Sequence, residues 1–536
     1  MTTKQDTTVV VGRGFIWITL AKLYFMVTGA VLMLALPRLF GSADLFGEFA
    51  TVNSLIRIVN MVMITATLQA VAKLTSEREE TAGAVRRAAV RAQLLIGGVI
   101  FVALFVGADL IAGRWLHDAR LAPYLRVAAF IPLFYSFYAV MVGLLNGLKR
   151  FLHQASLDMT FSTLKTASII GLVVLGYKVW GAFAAFAASA GVVLAISLVF
   201  TRSIGTESPS DKELQKRLWA FMLPIMAYTL FYNLLLNQDL LLIKSLKYAP
   251  MLDYFSRKAE GRVLLELHFG YLGLDPHHFP ALADHAATAA TSVLSGLFGA
   301  MKTISNLPYQ AVISVTFVVF PVISQATFQQ ETSQTERYVQ NTFRFSYLVI
   351  MFMLAVLLPV CNELIVILYG EAYRAGSSAL QLLLVSTVLF SLFVICTTII
   401  TSAGFPRTTL ALGVVTAVVN FVLCWILINN SGLWTGSLLY AAWADTITMA
   451  LGAILGVVAI FKLLRCLPPL FSFLRITAAT AICFICGNFL HVGSKWLIIA
   501  KCGALAVVYL LILVATRELT NADADIIRRV LRRRAS

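Results

Sequence analysis

Apolar runs of about 20 residues follow one another along almost the whole chain, separated by short polar turns. An α-helix of that length crosses the hydrocarbon core of a bilayer. The pattern predicts about fourteen such spans. They lie near 15–37, 44–72, 90–113, 122–147, 157–176 and 179–200, then 218–243, 290–324, 342–368, 377–402, 408–428 and 434–462, and finally 471–490 and 495–515. The polar stretch Thr201 to Arg217 reads as a linker between a first lobe, 1–200, and a second, 218–463. Residues 464–536 add two spans and a basic tail. The first run, beginning near Phe15, is too long for the core of a cleavable signal and is expected to remain as a span. The expected fold is an all-α polytopic membrane protein.

The second span breaks the apolar pattern most sharply. Asn53, Arg57 and Asn60 lie within it at i, i+4 and i+7, inside about 60° of arc on a helix. An arginine at membrane depth costs at least about 2.5 kcal/mol, so it should face water or a partner. The stretch from Leu45 to Leu74 also recurs without gaps from Leu297. Leu45, Phe46, Gly47, Thr51 and Leu55 match Leu297, Phe298, Gly299, Thr303 and Leu307, while Asn53 falls on Ser305 and Arg57 on Tyr309. A duplicated span with a polar face implies two related halves around a hydrophilic site.

Further polar residues extend that face. Lys302 and Asn306 stand one turn apart on the eighth span, and Asn233, Asn237, Gln238 and Asp239 crowd the end of the seventh. These are expected to line a cavity wall. Lys22, a third of the way into the first span, either snorkels towards the interface or joins the cavity. Asp445, an acid within the twelfth span, suits proton or cation coupling, or a structural pair with a nearby cation. Asp158 and Lys165, seven apart on the fifth span, are expected to pair with each other. Gly147 with Arg150, and Gly404 with Arg407, mark equivalent span ends, the glycine allowing the turn and the arginine anchoring the loop.

Charge and composition narrow the function. The chain is 59% hydrophobic, and its net charge of +16 is scattered through loops, which fits positive-inside loops and excludes a basic nucleic-acid-binding domain. Lys and Arg are densest in loops that place both termini in the cytoplasm. The exception is an outer loop expected over 244–289, with Lys244, Lys247, His268, His277, His278 and His285. Its histidines fit no ligand spacing, so no metal site is assigned, and a short interfacial helix over 263–274 is expected there. All seven cysteines lie in the second half; Cys483 and Cys486 read as buried thiols. No G-x-x-x-x-G-K-[ST] motif occurs, so ATP use by this chain is not expected. Asp523 and Asp525 form a DxD in the tail without a nucleotide-binding domain, and no catalytic constellation is found.

The span pattern, the repeat, the G-x-x-R loops and the stretch YQAVISVTFVVFPVISQ resemble the polysaccharide-unit flippases of the multidrug/oligosaccharidyl-lipid/polysaccharide exporter superfamily. The resemblance covers nearly the whole chain. It implies two pseudo-symmetric six-helix lobes around a central cationic cavity, with two C-terminal helices added. Spans one, two, seven and eight would line the cavity, placing Lys22, Arg57, Asn60, Asp239 and Lys302 in it. It further implies a bacterial inner-membrane protein that flips a polyprenyl-diphosphate-linked oligosaccharide, alongside a polymerase and chain-length proteins. No cofactor is implied; the driving force would be an H+ or Na+ gradient or the membrane potential. Lipid II flippases, multidrug antiporters and, from another class, membrane glycan polymerases or ligases are the alternative readings.

Overall fold

A computed structural model describes residues 2–202, 204, 212–258, 260, 261, 263, 279–310, 332–490 and 495–519. Among these residues the chain is helical, with no strand. In order, the helices are α1 (Thr2–Phe40), α2 (Ala43–Glu77), α3 (Ala82–Val106), α4 (Leu121–Ala128), α5 (Phe130–Gly147), α6 (Phe151–Leu172), α7 (Lys178–Phe200) and α8 (Lys212–Arg257). Then follow α9 (Phe279–Ser305), α10 (Thr332–Leu357), α11 (Cys361–Tyr369), α12 (Ser377–Ser402), α13 (Pro406–Asn429), α14 (Gly436–Leu464), α15 (Leu470–Phe489) and α16 (Lys495–Ala515). With α4 joined to α5 and α10 to α11, they match the fourteen predicted spans, the eighth only in part because its residues 311–324 lie outside the described residues. Twelve helical stretches among the described residues are long and apolar enough to cross a membrane. One of these, Phe151–Phe200, holds two predicted spans divided by positive φ at Gly176 and Lys178.

Two local expectations change. The region 244–289 is not one long loop, because α8 runs on to Arg257 and α9 begins at Phe279. At 46 residues α8 is about 69 Å long, more than twice the hydrocarbon thickness. Residues 264–278, with His268, Asp275, His277 and His278, lie outside the described residues, as do Asp523 and Asp525. Gly147 does not make the turn after α5. Lys149 takes the left-handed conformation at φ 58, while a Cβ on Gly147 would stand 2.6 Å from Thr75 Cβ. Gly147 is there for close helix approach, whereas Gly404, at φ +95, does turn the chain.

The helices form two compact units, Met1–Ala300 with Asn420–Ala441, and Met301–Val419 with Ala442–Ser536. In the first unit α2 packs along α8 and α5, while α6 lies against α1 and α7. Lipid is as apolar as leucine, so close packing of small residues, rather than burial from water, holds such helices together. The core beside α2 accordingly uses Ala66, Ala70, Ala88, Ala89 and Ala92. A very close crossing lies between α2 and α9, where a Cβ on Gly47 would fall 1.7 Å from the Ser292 carbonyl oxygen and one on Gly296 2.1 Å from that of Ala43. Phe49 stacks beside this crossing on Phe183, with centroids 5.1 Å apart.

In the second unit α15 and α16 pack on α10. Arg344 of α10 donates from Nε to Glu518 at 2.8 Å. Lys501 of α16 donates to the Pro359 carbonyl at 3.1 Å and to Glu363 at 3.3 Å. These bonds tie α16 and the residue Glu518 beyond it to α10 and the segment that follows α10. Cys483 is buried on α15, but Cys486, one turn on, is exposed, so the two thiols do not share an environment.

Candidate functional site

Helix α2 carries the predicted polar face intact. Asn53 is buried and Asn60 half-buried, its buried Oδ1 without a hydrogen-bond donor among the described residues. Arg57 is exposed, while its neighbours Ile56 and Ile58 are buried. Arg57 makes no ion pair or hydrogen bond among the described residues. The 3.6-residue period aims this stripe one way, while the apolar positions of α2 pack on α5 and α8.

The expected Asp158–Lys165 pair does not form. Asp158 on α6 instead accepts from Lys22 of α1 at 2.9 Å and from Tyr138 of α5 at 3.0 Å. Lys22 is therefore bound to protein and does not reach away towards the interface. Lys165 turns to aromatic rings, its Nζ 4.7 Å from the centre of Phe25 and 5.4 Å from that of Phe161. It also lies within electrostatic reach of Arg57.

On α8 the predicted amides are largely spent on the protein itself. Asn237 donates to the Asn233 carbonyl at 2.9 Å, and Asn233 to that of Thr229 at 2.8 Å. Gln238 donates to Asn420 Oδ1 at 2.6 Å, and buried Asp239 accepts from the Leu240 amide at 2.8 Å. Asn237 and Asp239 thus sit inside the first unit, tied to their own helix. In the second unit two residues chosen separately from the sequence meet: Lys302 and Asp445 form an ion pair at 3.5 Å. Tyr309 packs on Phe390, with centroids 4.9 Å apart. Asn306, half-buried, stands where the helix after Ser305 breaks, just before Pro308.

The largest polar network was not predicted. Lys244, assigned to an outer loop, is fully buried. Its ammonium donates to Asp118 at 2.8 Å, Ser292 Oγ at 2.5 Å and the Thr288 carbonyl at 3.1 Å. Arg120 grips the other side of Asp118 through Nε at 2.9 Å and Nη2 at 3.0 Å. It also reaches Glu48 at 3.1 Å and Asp44 at 3.5 Å. Burial alone would raise the Asp118 carboxyl, but the Arg120 hydrogen bonds and the Lys244 charge outweigh it and hold it below its ordinary range. Arg120, although burial opposes its charge, is held further up by Asp118, Glu48 and Asp44. The network clamps α2, α8 and α9 to the 107–120 connection beside the Gly47–Gly296 crossing. A lysine closing a leucine-rich run, and an Asp-x-Arg after the third span, were its only traces in sequence.

With this geometry in place, comparison with known proteins decides the family. Residues 11–327, more than half of the chain, match the model of the polysaccharide biosynthesis protein family. The chain belongs to that family. It is 23% identical over 357 residues to the membrane protein YabM of Bacillus subtilis (strain 168); the match covers 65% of this chain and 62% of that protein's length. Its fold is that of a lipid II flippase, MurJ, in an inward closed conformation, with a TM-score of 0.72 at 13% identity over 94% of this chain and 99% of that one. An inward-facing multidrug resistance MATE family transporter of the MOP superfamily also matches, with a TM-score of 0.58 at 16% identity over 81% of this chain and 99% of that one. The expected all-α polytopic membrane architecture is therefore found, in the fold shared with these solved structures.

Proposed function

We propose that the chain flips a polyprenyl-diphosphate-linked oligosaccharide across the bacterial inner membrane, both termini facing the cytoplasm, for synthesis of a surface polysaccharide. One observation carries this reading above the family and the fold. Arg57 stands on a membrane-spanning helix, accessible and without an acid partner among the described residues. A cation left uncompensated at that depth favours an anionic cargo, and a diphosphate accepts charge-assisted, bidentate hydrogen bonds from a guanidinium. Asn53 and Asn60 on the same stripe are suited to sugar hydroxyls, while the polyprenyl tail remains in lipid.

Transport would proceed by exposing Arg57 to each side of the membrane in turn. Lys302 and Asp445 are candidates for sensing a cation or proton gradient, because a carboxylate paired with a lysine can exchange that partner for another cation. The polymerase and chain-length proteins of the same synthesis would act on the delivered glycan. A multidrug antiporter handling cations would be opposed by Arg57.

Proteoliposomes test this directly. The purified protein should move a fluorescent polyprenyl-diphosphate oligosaccharide between leaflets, read by quenching of the outer leaflet, and should not accumulate a cationic dye. Dye uptake without lipid movement would replace this reading with that of a drug exporter.

A further inference from the structure

We propose that the lipid-facing side of α3 binds an anionic phospholipid, with its phosphate on Arg87 and one acyl chain in an apolar groove two turns further along the helix. This lipid is distinct from the cargo, and its site stands whether or not the chain flips a glycan.

Helix α3 packs on α5, α2 and α8 through buried residues such as Val85, Ala89 and Ala92. Its other side is apolar and open. Leu94, Leu95, Gly98, Val99, Val102 and Ala103 line a groove of about 610 Å3 there. Two adjacent glycines separate the two sides. A Cβ on Gly97 would stand 2.9 Å from Ser136 Oγ of α5, so that glycine serves close packing within the protein. A Cβ on Gly98 would meet nothing within 4 Å. Glycine weakens a helix relative to alanine, and no neighbour among the described residues requires it at 98. It leaves a notch beside Leu94, Leu95 and Val102 that a chain methylene can enter. From Leu94 to Ala103 the groove rises about 14 Å along the axis, close to one leaflet of a hydrocarbon core about 30 Å thick.

Charge at one end of the groove identifies its occupant. Arg87 lies just before the third predicted span and seven residues ahead of Leu94, on the same side of the helix. It is half-buried and makes no hydrogen bond or ion pair among the described residues. Its neighbour Arg86 is used differently, donating to the Thr201 carbonyl at 3.3 Å. Arg91, exposed, adds positive charge between Arg87 and the groove. Cation followed by apolar groove is the order of a phospholipid from headgroup to chain. A guanidinium grips phosphate oxygens through two parallel N–H bonds. In a zwitterionic lipid the headgroup's own ammonium competes for that phosphate, whereas a glycerol headgroup leaves the negative charge to the arginine. With both termini in the cytoplasm, as proposed above, Arg87 meets the cytoplasmic leaflet, whose anionic lipids attract such cations.

Native mass spectrometry of the full-length protein in mild detergent, titrated with phosphatidylglycerol or phosphatidylcholine of equal chain length, counts the bound lipid. The native protein should prefer phosphatidylglycerol about fivefold or more. Arg87→Gln should lose that preference, weakening phosphatidylglycerol about fivefold and phosphatidylcholine little, and Arg87→Lys should keep most of it. Gly98→Leu, whose side chain enters open space, should fold normally and weaken both lipids, because it fills the place of the chain. The two variants act on opposite ends of the site, so a packing defect in one does not decide the result. Native-like phosphatidylglycerol binding by either Arg87→Gln or Gly98→Leu overturns the proposal. If equimolar polyprenyl diphosphate displaces the phosphatidylglycerol, the groove belongs to the cargo. If Gly98→Leu instead splits a dimer into monomers, it belongs to a second copy of the chain. Either result also overturns the proposal.

Discussion

Replacing Lys244 by methionine removes the central cation of the buried network while keeping much of the side chain's volume. The ammonium makes three hydrogen bonds, to Asp118, Ser292 and the Thr288 carbonyl, and no part of the residue reaches solvent. Removing one partner of a buried ion pair costs about 3–5 kcal/mol. Asp118 keeps its three bonds from Arg120, two from the guanidinium and one from the backbone amide, and one from Ser292 at 3.3 Å, so the lower end applies, about 3 kcal/mol. The double variant Lys244→Met/Asp118→Asn should recover about 1–2 kcal/mol, since no uncompensated carboxylate then remains. Unfolding by SDS in mixed micelles, followed by tryptophan fluorescence, reports these differences as midpoint shifts. A native-like midpoint for Lys244→Met, or a double variant weaker than the sum of its parts, would refute the reasoning.

Three further outcomes are expected. The Asp118 carboxyl is held below its ordinary value of 3.8, so its contribution to stability is complete above about pH 4 and fades as pH falls through the lowered value; the stability gap between the native protein and Asp118→Asn should narrow on acidification, and a gap that widens contradicts the sign. Gly47→Val should abolish folded protein in size-exclusion profiles, because its Cβ would meet the Ser292 carbonyl at 1.7 Å, whereas Gly29→Ala, with nothing within 4 Å, should fold normally. Lys302→Met and Asp445→Asn should show a coupling of about 0.5–3 kcal/mol in a double-mutant cycle on stability. If the pair also senses a gradient, their double variant should lose the dependence of flipping on an imposed ion gradient.

What was legible in the sequence followed from single helices. Asn53, Arg57 and Asn60 share a face because helical periodicity fixes it, and no tertiary knowledge was needed. The glycines at 47 and 299 marked the duplicated stretch, though not that α2 and α9 would cross there. Pairings between distant helices were not legible. Lys302 and Asp445 were each singled out, but nothing in their spacing shows that they meet. Asp158 was matched with Lys165 by register on one helix, whereas Lys22 and Tyr138, from other helices, reach it first. The Asp118 network was hidden because α8 continues past residue 243, where the apolar pattern had ended, carrying Lys244 and Lys247 into buried positions.

On the reading developed above, an uncompensated cation on α2 receives an anionic lipid. Flipping of a labelled polyprenyl-diphosphate oligosaccharide in proteoliposomes, compared among the native protein, Arg57→Lys and Arg57→Ala at equal insertion, tests it most directly. Each charge-assisted hydrogen bond from Arg57 to the cargo is worth about 1.5–3 kcal/mol. Without it, Arg57→Ala should flip at least about tenfold more slowly, with Arg57→Lys in between. Native-rate flipping by Arg57→Ala would contradict the account.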